Sequence, residues 1–140
     1  MIQAHVSVVL PTELMEGLSY NHRLTKQRGR FSFASEALYS MRELRNDLED
    51  EVQLAADGIT IPPPWPAVSA PKDKSNRTFE HGFYSMKIPG SFYEPWKWLL
   101  ERHGGHAPTV LYRALLHQYR CVRRYYAENE PDHLDHFPIL

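Results

Sequence analysis

The chain has 140 residues, 42% hydrophobic and 12% aromatic, enough to bury one core without covalent staples. Its 16 Lys/Arg and 17 Asp/Glu leave a net charge of -1, so bulk charge announces neither a nucleic-acid nor a membrane partner. A single cysteine, Cys121, excludes an internal disulfide framework and fits a reducing compartment. The start, Met1-Ile2-Gln3-Ala4-His5, has no secretory leader pattern, and no apolar run reaches the roughly 18 residues that cross a bilayer. The expectation is a soluble, cytoplasmic protein with no membrane partner.

The first element is His5–Leu10, a β-branched run with Val6, Val8 and Leu10 on one face. Pro11 ends it and suits a helix start. From Thr12 to about Lys26 an apolar stripe of Leu14, Met15, Leu18 and Leu24 predicts a helix, broken at Gly29. Ser32 is placed to cap a second helix carrying Phe33, Ala37, Leu38, Met41, Leu44 and Leu48, closing in the acidic run Glu49-Asp50-Glu51. Residues 53–81, with Pro62-Pro63-Pro64-Trp65-Pro66, lack periodicity and read as a linker between units.

The pattern then returns. Phe83–Ile88 predicts a second strand with Tyr84, Met86 and Ile88 inward, again followed by proline. Ser91-Phe92-Tyr93-Glu94 has capping-box spacing and opens a helix through Trp96, Leu99 and Leu100, stopped by Gly104-Gly105. A last helix runs through Val110, Leu111, Ala114, Leu115, Tyr119, Val122 and Tyr125. The sequence thus divides into a unit at 1–52, a linker at 53–81, a second unit at 82–127 and an acidic, irregular tail at 128–140. Pro11 to Ser35 and Pro89 to Thr109 differ by four residues, about one helical turn. This is a repeat of structure with almost no sequence identity.

The strand, the Leu10-Pro11 junction and Gly29-Arg30-Phe31-Ser32-Phe33-Ala34-Ser35-Glu36 resemble the ribbon-helix-helix family of DNA-binding proteins. Residues 5–48 cover the motif, and 83–125 match it more loosely, with His106 and Thr109 at the two serine positions. The resemblance implies a mostly α fold with a two-stranded antiparallel ribbon, two units forming one pseudo-two-fold domain. It implies double-stranded DNA as partner, with the ribbon in the major groove. Fused versions of the family serve plasmid conjugation and T-DNA transfer. The function so implied is a small transcriptional repressor, or an accessory factor working beside a larger DNA-processing protein. A single unit of about 45 residues cannot bury a strand face and two helix stripes alone, so joined units are physically reasonable. The chain is expected to be a monomeric pseudo-dimer or to self-associate further.

If the apolar strand faces point inward, then His5, Ser7, Val9, Phe83, Ser85 and Lys87 point outward as base-contact candidates. Arg23, Lys26, Arg28, Arg30 and Ser32, before the second helix, are phosphate-contact candidates. Residues 1–70 hold 6 Lys/Arg and 9 Asp/Glu (-3), residues 71–140 hold 10 and 8 (+2). Arg120, Arg123 and Arg124 could extend a basic edge, though a solvated helix face explains them more simply. Asp132-His133 and Asp135-His136 have the residue types of a metal site, with His103 and His106 as further ligands. Exposed tail residues are the simpler reading, and no metal or cofactor is expected. Cys121 lies on a helix with no evident base nearby in sequence and reads as structural or incidental. With no nucleophile motif or phosphate-cradling loop, an enzyme is not expected. The apolar Val9 and Phe83 leave a second function open, a protein-interaction adaptor that keeps the fold without DNA binding.

Overall fold

The computed structural model describes residues 2–25, 32–56 and 79–140; at 9, 33, 50–56 and 79–81 it describes the backbone alone. Alternating apolar residues make two long strands, β1 (Ile2–Pro11) and β2 (Phe79–Ile88). They pair antiparallel into a two-stranded ribbon, Ile2 opposite Ile88 and Pro11 opposite Phe79. Both strands start earlier than the β-branched runs, because cross-strand pairing recruits polar residues such as Gln3, opposite Lys87. Helices α1 (Thr12–Leu24) and α2 (Phe33–Ala56) follow β1, and α3 (Tyr93–Arg102) and α4 (Ala107–Asn129) follow β2. Among the described residues the fold is mostly helical with one small antiparallel sheet, an α+β arrangement.

A shift of 78 residues lays Leu10-Pro11 on Ile88-Pro89 and Thr12–Leu24 on Gly90–Arg102, the span of a 3-10 turn (Gly90–Phe92) plus α3. The four-residue difference in spacing is therefore not a helical turn. It lies in the connections: residues 25–32 join α1 to α2, and only 103–106 join α3 to α4. Gly104 (φ 62) and Gly105 (φ 79) make the short connection possible, since L side chains rarely adopt that left-handed backbone.

The inward strand residues Val6, Val8, Leu10, Met86 and Ile88 are all buried, each stabilising by about 1.5–3 kcal/mol. Tyr84 is half-buried, its ring lying across Gly82, where a Cβ would collide with it. Most of the helical stripes are buried: Leu14 and Leu18 on α1, Ala37, Met41, Leu44 and Leu48 on α2, Trp96 and Leu99 on α3; on α1, Met15 is half-buried and Leu24, the last residue of the helix, is exposed. On α4 they run from Val110 through Tyr119. Packing is interleaved. α4 packs on β1 and α2 on β2, α1 contacts α4 and α3 contacts α2, so the core is shared across the chain.

Four expectations need correction. Helix α2 continues to Ala56 and β2 begins at Phe79, so both reach into the stretch read as linker. Ser91 and Glu94 form no capping box: Phe92 is the cap residue of α3 without a side-chain cap bond, and Glu94 is drawn across to Arg45. Tyr126 rather than Tyr125 is the buried aromatic at the end of α4, Tyr125 being 54% exposed. The tail is ordered, not irregular. It forms a 3-10 segment at Pro131–His136 and then inserts Phe137, fully buried, against Tyr119 and Tyr126. Gly17 clears the room for it, since a Cβ there would lie 3.1 Å from the Phe137 ring and 2.6 Å from Tyr119.

Candidate nucleic-acid interface

Strand alternation sends every second side chain away from the helices, and the register decides who meets whom on that outer face. His5 lies opposite Ser85, Ser7 opposite Phe83 and Gln3 opposite Lys87. His5, Ser7, Phe83, Ser85 and Lys87 are all exposed, Phe83 at 65%. The fourth outward position on β1, Val9, lies outside the described side chains. His5 Nδ1 hydrogen-bonds Ser85 Oγ at 3.0 Å, and its ring stacks on Phe83 with centroids 5.9 Å apart at 6°. Among the described side chains the face therefore offers an aromatic pair at its centre, hydroxyls beside it and one cation, Lys87, towards the end of β2.

With the proline junctions aligned, Val6 corresponds to Tyr84, and these two residues are also paired across the ribbon. The Val6–Tyr84 pair is thus the ribbon's midpoint. Every outward residue on one strand has a counterpart on the other: His5 and Phe83, Ser7 and Ser85, Val9 and Lys87. The serines match, while His5 against Phe83 and Val9 against Lys87 differ in chemistry.

At the α2 start, Ser32 caps as expected: its Oγ accepts the Ser35 N–H at 3.3 Å and its carbonyl accepts from Glu36 N. Glu36 in that first turn is buried, and burial pushes its carboxyl above the usual range, against a hydrogen bond from Gln118 and the charge of His22. Lys26, Arg28 and Arg30 lie outside the described residues. Arg23 is exposed, but the fold sends it to a groove of about 850 Å³ with Glu16, Tyr20, Asp135 and His136, beside carboxylates. At the start of α4, His106 Nδ1 bonds Thr109 Oγ1 at 2.6 Å, filling the place Ser32 and Ser35 hold in α2.

Other candidates resolve into structural parts. Arg120 donates to the Leu140 carbonyl and Arg123 to that of Phe137, so two of the three arginines of the supposed basic edge hold the tail. His133 Nδ1 is 2.7 Å from the Tyr20 hydroxyl and His136 stacks on Tyr20 at 3.7 Å. These histidines do not converge with Asp132, Asp135, His103 or His106 on a metal position. His103 donates Nδ1–H to the Leu99 carbonyl at 2.7 Å and accepts from Arg113 at 3.0 Å through Nε2. Burial first, then the charges of Arg113, Arg102 and His106, hold it below the ordinary histidine range, against the pull of the Leu99 carbonyl.

Cys121 is not isolated from a base. His117, one turn earlier, places Nδ1 3.8 Å from Sγ, and Asp47 sits 3.0 Å from Nε2. Burial and the nearby Glu43 push the thiol up, the opposite of an activated nucleophile. The i, i+4 spacing of His117 and Cys121 is visible in sequence; the approach of α2 is not.

No helix among the described residues is long and apolar enough to cross a membrane. No protein-family model matches the chain, and no curated protein or solved structure does either.

Proposed function

We propose that the chain is a cytoplasmic DNA-binding protein of the ribbon-helix-helix kind. Its two strand–helix–helix units form a pseudo-two-fold domain, acting as a small repressor or as an accessory factor to a larger DNA-processing protein. The observation that carries this reading is the ribbon closed within one chain, with matched proline junctions and the interleaved helices α1–α4 beneath it. A two-stranded ribbon fits the major groove, where Lys87 can donate to guanine and the Ser7 and Ser85 hydroxyls can donate or accept. Phosphate contacts come from the α2 start and its preceding cations, Lys26, Arg28 and Arg30.

The exposed Phe83 with His5 stacked on it favours a second reading, a protein-interaction adaptor on the same fold. Binding to mixed-sequence duplex DNA, followed by fluorescence anisotropy at two salt concentrations, separates the two. DNA binding gives affinity that falls steeply with salt. Arg28→Ala and Arg30→Ala then weaken all sequences alike, and each flattens the salt slope by about one, the share of a single neutralised phosphate. Salt-insensitive or absent binding supports the adaptor instead.

A further inference from the structure

A shift of 74 residues lays α2 on α4, Phe33 on Ala107, and brings four side chains into correspondence: Glu43 with His117 and Asp47 with Cys121. Each helix thus presents an i, i+4 pair on one face, and where the helices meet the pairs face each other. The Glu43 carboxylate, His117 and Cys121 Sγ bring one ligand atom each to within 4.8 Å of one another. Glu43 is exposed while His117 and Cys121 are half-buried, so the cluster opens to solvent.

We propose that Glu43, His117 and Cys121 bind a soft divalent cation of the zinc class, with water as fourth ligand. A thiolate, an imidazole and a carboxylate are a zinc donor set, and three protein ligands leave one position open. Tetrahedral zinc, with bonds of about 2.3 Å to sulfur and about 2.0 Å to nitrogen, holds those two atoms about 3.5 Å apart. The Sγ–Nδ1 separation here is 3.8 Å, so a small closure suffices. Asp47 supplies the outer contact that such sites need. By accepting from His117 Nε2 at 3.0 Å it fixes the proton there and leaves the Nδ1 lone pair facing the sulfur. On binding, the Cys121 S–H bond breaks, its proton passes to water and a sulfur–metal bond forms, with no change of oxidation state. The ion joins α2 to α4, the helices whose packing centres the core. This runs against the expectation of a metal-free chain, and it is independent of whether the ribbon binds DNA.

Cobalt(II) is the probe. The chain has one cysteine, so any thiolate-to-cobalt charge-transfer band reports Cys121 itself. Titrating the metal-free full-length chain should give that band with four-coordinate d–d absorption, saturating at one cobalt per chain and displaced by zinc. Cys121→Ser and His117→Gln should abolish it, and Asp47→Asn should weaken cobalt binding about 10–100-fold. Zinc should raise the melting temperature of the wild type and leave that of Cys121→Ser where it is. Absence of the band from the folded wild type overturns the proposal. So does a band unchanged in His117→Gln, or saturation at one cobalt per two chains, which puts the ion between molecules.

Discussion

The segments around α1 and around α3 do the same structural work with different chemistry. Gly17, Leu18 and Asn21 line the buried face of α1, and their counterparts 78 residues on, Pro95, Trp96 and Leu99, line that of α3. Just past each helix the carbonyl four residues back accepts a side-chain donor in addition to the backbone N–H of the same residue. After α1 the Thr25 hydroxyl donates to the Asn21 carbonyl at 2.9 Å; after α3, His103 donates to the Leu99 carbonyl at 2.7 Å. One solution is indifferent to pH and the other is not. Corresponding positions are buried with different side chains, so the likeness of the two segments lies in element order and buried faces rather than in identities.

The largest expected effect tests whether the two strands are equivalent in the core. Val8→Asp and Met86→Asp each bury an unpaired charge, and each should abolish the cooperative melting transition. A transition unaltered in either variant would mean that its strand faces the other way.

Next is the point where the halves part. Phe137 fills the space over Gly17, whereas the counterpart on α3 is Pro95, a buried residue with a side chain of its own. Phe137→Ala should cost about 3–5 kcal/mol, read from denaturant unfolding. A loss within about 0.5 kcal/mol would mean that the tail is not docked.

The smallest effect is the pH response of the two helix ends. Folded His103 binds a proton less readily than the unfolded chain does, so between about pH 6.5 and the lower folded value the unfolded state carries more protons. Stability should be full above about pH 6.5 and fall below it. His103→Thr, which installs the residue used after α1, should flatten that fall relative to the wild type in melting curves from pH 7 to 5. Parallel curves would show that His103 contributes nothing to the acid response.

The inner faces of the ribbon and helices were legible because period 2 and period 3.6 are written in single residues such as Val6, Val8, Leu14 and Leu18. The tail was not legible: the burial of Phe137 depends on Gly17, far away in sequence, lacking a side chain. Glu94 misled because its capping-box spacing is local while its partner Arg45, which also stacks on Trp98, comes from another helix. On the outer face, the alternation named His5, Ser7, Phe83, Ser85 and Lys87 as outward residues. The register that pairs His5 with Ser85 and stacks it on Phe83 required the fold. Two of the three residues of the Glu43–His117–Cys121 cluster stood in plain spacing on α4, and the third came only with the crossing of α2.

Site selection from randomised duplexes tests most directly whether one chain closes an asymmetric ribbon onto DNA. A homodimeric ribbon, with identical strands, selects a palindrome. This chain, with His5, Ser7 and Val9 on one strand and Phe83, Ser85 and Lys87 on the other, should select a non-palindromic site with a guanine preference on one side. Lys87→Ala should lose about 1–3 kcal/mol at that guanine and leave the other half-site intact. A palindromic selected site, or no enrichment over random sequence, would contradict the account.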